Sequence, residues 1–271
     1  MVREQLLDVD GRRIRWLESG AGWPVLLVHA FPLNAEMWHP QLERVPEGWR
    51  LIAPDLRGFG RSRLPNGPGA PVASLDDYAE DLEALLDHLK IDELVIGGLS
   101  MGGYVTLALF RRSPDRFSGM FLADTKAEAD TSDGRTARVA MRTLLSERGP
   151  AGVADQMLPK LLSDATRAAD PALVESTRRL IMSNQSDAID QAIVAMMARP
   201  DSGPDLEKVR VPALVVVGEQ DVLTPPADSE RLHARLPRSI LTVIPDAGHL
   251  ANMERPTEFT RALHDFLLAH V

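Results

Sequence analysis

Gly98-Leu99-Ser100-Met101-Gly102 lies between an apolar run, Leu94-Val95-Ile96, and a segment from Met101 to Arg112 that reads as helix, so Ser100 falls at a strand-to-helix turn. A turn that sharp needs small neighbours. A side chain at Gly98 or Gly102 would collide with adjacent backbone, and Gly97 and Gly103 extend the relief on both sides. The serine hydroxyl is thereby raised above a sheet, and the free N–H groups and positive dipole end of the next helix face whatever charge develops beside it. G-x-S-x-G also occurs in plain tight turns; the strand before it and the helix after it make it a nucleophile elbow.

Upstream, two short runs around Leu6-Leu7 and Ile14-Arg15-Trp16 flank Asp10-Gly11, a hairpin signal, so the chain opens with an antiparallel pair. Val25-Leu26-Leu27-Val28 and Leu51-Ile52-Ala53 are apolar at every position, as buried parallel strands are, and Asn34 to Val45 between them reads as helix. The loop Asp55 to Ser62 leads into a proline- and glycine-rich connection ending at Ala73. Ser74 then caps a helix with Asp76 and Asp77 in its first turn and Leu75, Tyr78, Leu82, Leu85, Leu86 and Leu89 at helical spacing. Met120-Phe121-Leu122 is a further strand, ending at Asp124-Thr125. From Lys126 to Lys208 no strand-like run appears. Amphipathic segments around 135–146, 151–162, 171–182 and 188–198, broken at Gly149-Pro150, Asp170-Pro171 and Arg199-Pro200, read as a helical insertion. The sheet resumes with Ala213 to Val217, a helix near Pro226 to Arg235, the strand Ile240 to Ile244 and a last helix from Pro256 to Leu268. The expected fold is therefore α/β: a mostly parallel central sheet with flanking helices, residues 1–125 and 209–271 forming the core and 126–208 a helical cap inserted after the sixth strand. In such sheets function gathers at the carboxyl ends of the strands.

A serine nucleophile needs a base within hydrogen-bond reach, and the base needs an acid to fix its tautomer. Asp221 follows the strand Leu214 to Val217 in Gly218-Glu219-Gln220-Asp221, and His249 follows the next strand in Asp246-Ala247-Gly248-His249, so adjacent strand ends bring the two together. Asp124 also ends a strand and competes for the acid role; Asp221 is favoured because its strand immediately precedes that of His249, and Asp124 is read as holding the base of the insertion. His29, at the end of a strand, is read as a structural hydrogen-bonding residue, and Asp55 with Arg57 as a turn network. His39, His88, His233, His264 and His270 are read as lying on solvated helix faces. For an oxyanion hole, Met101 N–H is the first donor and Phe31 N–H the expected second, with Phe31-Pro32 a candidate for a cis bond.

A chain of 271 residues, 44% hydrophobic, is long enough to bury a full core, and its longest apolar runs are far too short to span a bilayer. A net charge of −9 argues against nucleic acid or anionic lipid as partner, since both need a basic face. The absence of cysteine excludes disulfides, thiolate metal sites and a cysteine nucleophile. Charges between Met1 and Asp10, where a signal peptide needs an apolar core, lead to a cytoplasmic expectation. Basic charge is mostly arginine, with lysine only at 90, 126, 160 and 208, and there are 20 prolines, as in proteins of GC-rich or thermophilic genomes.

Together these residues resemble the α/β-hydrolase superfamily over essentially the whole chain. Val28-His29-Ala30-Phe31-Pro32 is similar to its His-Gly-Phe-Pro segment, Asp55-Leu56-Arg57-Gly58-Phe59-Gly60-Arg61-Ser62 to its Asp-x-Arg-Gly-x-Gly-x-Ser loop, and Gly97 to Gly103 to its elbow; the order Ser100, Asp221, His249 is the order of that family. Leu122-Ala123-Asp124-Thr125 and Ala198-Arg199-Pro200-Asp201-Ser202 resemble bacterial carboxylesterases with a helical cap, including thermophilic ones. The resemblance implies a Ser-His-Asp mechanism on a small-molecule ester, without cofactor or metal, in a monomer or small homo-oligomer. Ala30 departs from the family glycine and puts a methyl near the oxyanion donor. Dehalogenases and epoxide hydrolases of this fold carry aspartate at the elbow, so Ser100 points to acyl transfer. Trp38, Phe59, Met141, Met157, Met197 and Leu223 are candidate pocket walls. No arginine cluster sits inside a motif that would bind a carboxylate, which favours neutral esters over charged lactones. The alternatives are a lactonase of the oxoadipate enol-lactonase type, for which a positively lined pocket is the discriminating feature, a perhydrolase side activity, and a non-enzymatic hydrolase-fold receptor.

Overall fold

The runs that are apolar at every position become the inner strands of one eight-stranded sheet, ordered β1-β2-β4-β3-β5-β6-β7-β8. The strands are β1 (Arg3–Val9), β2 (Arg12–Gly20), β3 (Trp23–Val28), β4 (Trp49–Pro54), β5 (Leu94–Leu99), β6 (Phe117–Ala123), β7 (Ala213–Gly218) and β8 (Ser239–Ile244). The computed structural model describes residues 1–9, 11–62 and 74–270. Asp10 of the hairpin signal and the connection running to Ala73 lie outside the described residues. β2 is antiparallel to both β1 and β4, and every pair from β4 to β8 is parallel. β5 and β7 are buried at every position because helices cover both faces of the sheet. Parallel strands point their carboxyl ends to one edge, and β5, β7 and β8 deliver their following loops there side by side.

The helices are α1 (His39–Leu42), α2 (Leu75–Leu89), α3 (Met101–Arg112), α4 (Ser132–Leu161), α5 (Asp164–Ala169), α6 (Pro171–Met182), α7 (Ser186–Ala198), α8 (Gly203–Leu206), α9 (Pro226–Arg235), α10 (Ala251–Glu254) and α11 (Pro256–His270). Ser74 caps α2 through a capping box with Asp77, as the sequence suggests. The helix expected over Asn34 to Val45 is instead a 3-10 turn, Ala35–Trp38, followed by the single turn of α1. Pro40 has no N–H to carry a continuous ladder through that point. α4 through α8 all lie between β6 and β7, with no strand among them. Gly149, at φ 62° and ψ −166°, breaks α4 where Gly149-Pro150 signals it. α5, of six residues, is too short to show a hydrophobic period, and the sequence reading missed it.

Backbone-linked contacts fasten the helical segment to the loops at the strand ends: Leu250 N–H donates to Leu161 O at 3.0 Å and Asn184 Nδ2 to Pro32 O at 2.7 Å. Ser202 N–H, donating to Ala127 O at 2.9 Å, joins the two ends of the segment to each other. No helix among the described residues is long and apolar enough to cross a membrane.

Candidate active site

Ser100 sits at φ 57° and ψ −112°, a strained backbone position between β5 and α3. Its surroundings hold it there: its N–H donates to Ala123 O at 2.9 Å, while its carbonyl accepts from Gly103 N–H at 2.9 Å and Thr125 Oγ1 at 2.8 Å. A Cβ at Gly98 would stand 2.6 Å from Val28 O, and one at Gly102 2.1 Å from the same atom. The end of β3 presses directly on the turn, and only glycine fits on both sides of the serine.

Asp221 lies in the loop after β7. Its Oδ1 accepts Leu223 N–H at 2.8 Å and Thr224 N–H at 3.1 Å, and its Oδ2 accepts the Thr224 hydroxyl at 2.7 Å and His249 Nδ1 at 2.8 Å. Burial pushes this carboxyl up, but the His249 charge, its hydrogen bond and those from Thr224 outweigh that and hold it below the ordinary carboxylate range. With Asp221 ionised and accepting, His249 carries its proton on Nδ1 and leaves Nε2 free as a base. The His249 loop is itself clamped: Glu254 accepts Gly248 N–H at 2.8 Å through one oxygen and Ser163 N–H at 2.9 Å through the other.

Ser100, His249 and Phe31 share the wall of a cavity of about 230 Å³ roofed by residues of α4 and α7. Among the described residues no hydrogen bond joins Ser100 to His249; contacts of this kind commonly tighten only around substrate. Phe31-Pro32 is cis. Met101, as the first residue of α3, has no intrahelical acceptor for its N–H. Ala30 is buried, with its N–H on Met37 Sδ at 3.2 Å and its carbonyl on Leu33 N–H at 2.9 Å, and it does not line the cavity. Among the described residues no group of histidine and acidic side chains is placed to hold a metal ion.

Residues 24–256 match the α/β hydrolase fold family. The chain belongs to that family. This α/β hydrolase is 30% identical over 230 residues to 3-oxoadipate enol-lactonase 2 of Acinetobacter baylyi, covering 85% of this chain and 83% of the relative. It is 29% identical to the pimeloyl-[acyl-carrier protein] methyl ester esterase of Neisseria meningitidis, over 90% of this chain and 92% of that one. Among solved structures it is similar to a thermophilic esterase from Thermogutta terrifontis with malate bound: TM-score 0.92, 37% identity, 99% of this chain and 100% of the other.

Of the pocket residues expected from the α/β hydrolase sequence, Met141, Met157 and Leu223 line the cavity. Three do not. Trp38 is fully buried in the core, 6.2 Å from the Phe121 ring and 5.9 Å from that of Phe259. Phe59 is fully buried and edge-on to His29 at 5.2 Å. Met196 lines the cavity where Met197 was expected, because neighbours on a helix point about 100° apart. His29 donates from Nδ1 to Ala30 O at 3.0 Å and accepts Leu56 N–H on Nε2 at 3.0 Å, so it is a structural residue. Asp55 accepts the N–H groups of Ala35 and Arg61, both at 2.8 Å, as a turn residue, but Arg57 is not its partner. The Arg57 guanidinium binds Asp81 on α2 at 2.7 and 2.8 Å, and Arg15 stands beside Asp55 instead. His264 is half-buried, not on a solvated face.

Asp124 corrects a further expectation. It does not anchor the base of the helical segment; its Oδ1 accepts Gly218 N–H at 2.8 Å and its side chain is in contact with Asp221.

The sequence reading also missed part of the wall. Lys126, Arg138 and Lys160 line the cavity of the α/β hydrolase together with Asp130 and Tyr104. Asp130 Oδ2 accepts from Arg138 at 2.5 Å and Oδ1 from Arg199 at 2.7 Å, and the Arg199 guanidinium lies 4.2 Å above the Tyr104 ring. The preference for neutral esters drawn from the lack of an arginine cluster within one motif therefore loses its basis, since cations reach the cavity wall without such a motif. The charges come from the start of the helical segment and from the two ends of α4, so no contiguous motif announces them. Thr224, three residues after Asp221 and just beyond the Asx turn that Asp221 closes with Leu223 N–H, carries no sequence signal of its own beyond its hydroxyl.

Proposed function

We propose that this α/β hydrolase is a serine carboxylesterase that cleaves short to medium carboxylic esters through an acyl-enzyme. The observation that carries the reading is the buried 2.8 Å bond from His249 Nδ1 to Asp221, which leaves Nε2 as a free base in the cavity that Ser100 also lines. Ser100 Oγ attacks the ester carbonyl carbon while Nε2 takes its proton. The negative charge on the carbonyl oxygen is received by the N–H groups of Phe31 and Met101 and by the N-terminus of α3. The adduct collapses, the C–O bond breaks, and His249 returns the proton to the departing alcohol oxygen. Water then gives a proton to His249 and attacks the acyl group; the acid leaves and Ser100 recovers its proton. Asp221 stays ionised throughout and orients the ring. Residues 126–208 act as the cap, and Met141, Met157 and Met196 form an adaptable apolar wall for the substrate.

A second reading, hydrolysis of a lactone or ester that itself carries a carboxylate, is favoured by Lys126, Arg138 and Lys160 on the same wall. Lys126 and Lys160 are half of the lysines in a chain of net charge −9, so a cationic cavity runs against the overall charge. The enol-lactonase relative and the malate in the Thermogutta esterase support the same anionic preference.

The test is hydrolysis of p-nitrophenyl esters from acetate to palmitate, with a lactone panel alongside, by the protein and by Ser100→Ala. The reading expects turnover of short esters that disappears in the variant. Turnover of lactones alone would leave the mechanism and transfer the substrate to the second reading. Full activity in Ser100→Ala would overturn both.

A further inference from the structure

Asp124 ends β6 at φ 45°, a left-handed position, with its N–H on Val216 O at 2.8 Å and its side chain reaching across to the end of β7, where Oδ1 accepts Gly218 N–H at 2.8 Å. It is fully buried, and among the described residues no donor gives Oδ2 a hydrogen bond. The side chain instead meets another carboxyl, that of Asp221. Two carboxylates in contact inside a protein cannot both be charged without a large penalty, and an oxygen that faces an acceptor with no donor of its own is satisfied only if it carries a proton. The donors decide which one. Asp221 has four, counting two backbone N–H groups, the Thr224 hydroxyl and His249, whereas Asp124 has one. The charged groups acting on Asp124 are the carboxylates of Asp221 and of Glu254 on α10, and burial together with both raises its pKa, well above the ordinary carboxylate range.

We infer that Asp124 is held as the neutral acid and donates its carboxyl O–H to Asp221, as a positioning residue that fixes the acid of the triad and shares its charge. This rests on the reading of Ser100, His249 and Asp221 given above. Asp221 then takes five hydrogen bonds from groups on β6, its own loop and the β8 loop. Its charge is spread away from His249, and its plane is set by two adjacent strand ends.

The arrangement predicts the response to substitution. An amide at this position reproduces both contacts, with its oxygen on Gly218 N–H and its NH₂ on Asp221, so Asp124→Asn retains activity to within about threefold. Asp124→Ala removes the donor and strands Gly218 N–H, lowering kcat by roughly tenfold or more. The direction of the pH response separates a neutral from a charged Asp124. Losing a neutral donor concentrates charge on Asp221 beside His249, so the acid limb of kcat/KM moves to higher pH in the alanine variant and stays in place in the asparagine variant. Losing a negative charge would instead move that limb to lower pH in both.

The deciding measurement is infrared spectroscopy of the wild-type protein, uniformly labelled with ¹³C-aspartate and unlabelled, at neutral pH. A protonated-carboxyl C=O band that shifts with the label and is absent from Asp124→Asn is expected, and its absence from the wild type would overturn the inference. The band needs neither turnover nor the folding of the alanine variant. Failure of the triad reading would appear separately, as activity surviving in Ser100→Ala.

Discussion

Ser163, in the helical segment, donates its backbone N–H to Glu254 on α10 at 2.9 Å, and the other oxygen of the same carboxylate holds Gly248, the residue before His249, at 2.8 Å. One buried side chain therefore ties the roof of the cavity to the loop that carries its base. Glu254→Ala leaves two N–H groups without a partner and frees both segments together. A loss of about 2–4 kcal/mol in unfolding free energy is expected, with a fall in kcat/KM larger than that of a remote variant of equal stability. Urea unfolding and ester kinetics on the same preparation check it.

The cations of the cavity make a second prediction. Lys126→Ala together with Lys160→Ala lowers kcat/KM for a half-ester of a dicarboxylic acid by roughly tenfold and leaves a neutral ester of the same length within about twofold. In the unmodified protein, raising the ionic strength has the same selective effect. Equal losses on both substrates would remove the anionic preference and leave the simple esterase reading.

Gly102→Ala tests the packing of the elbow. Its Cβ would stand 2.1 Å from Val28 O, backbone of a central strand that has no room to retreat. The expected result is loss of activity with destabilisation of at least about 2–3 kcal/mol, read by thermal or urea unfolding. A stable, active Gly102→Ala protein would mean that β3 and α3 are further apart than described.

Acid sensitivity follows from His29. Burial lowers its pKa from the ordinary 6.5 to about 4, so between these values the folded protein keeps it neutral while the unfolded chain protonates it. Because the folded value is depressed, this contribution is fully present above pH 6.5 and is lost as the pH falls from 6.5 towards 4, about 3 kcal/mol in all. Urea midpoints measured between pH 7.5 and 4.5 should fall for the native protein. The His29→Gln variant should start lower at pH 7.5 and show a shallower fall.

The elements that were legible in the sequence are those in which local chemistry and tertiary role coincide. Val25–Val28 and Leu214–Val217 read as buried strands because every position is apolar, and Ser74 with Asp77 announced the start of α2. The segment 34–45 misled because its apolar spacing is helical while Pro40 interrupts the ladder, and α5 was invisible because six residues hold no period. Trp38 and Phe59 misled for another reason. A large aromatic near a strand end suits a pocket wall as well as a core, and only packing against Phe121, Phe259 and His29 decides between them.

By itself the sequence determined the family, the strand-turn-helix around Ser100, and the position of Asp221 and His249 at the ends of consecutive strands. Each of these depends on spacing along the chain, and a parallel sheet turns such spacing into neighbourhood at one edge. What only the tertiary structure decided was what faces what. Lys126, Arg138 and Lys160 converge on one cavity from the start of the helical segment and the two ends of α4, Glu254 reaches Ser163 across 91 positions, and Asp124 meets Asp221 rather than the helical segment. Long-range meetings of single polar side chains leave no periodic trace in a sequence, because their partners are chosen by how the elements pack and not by anything within a turn or a strand of them.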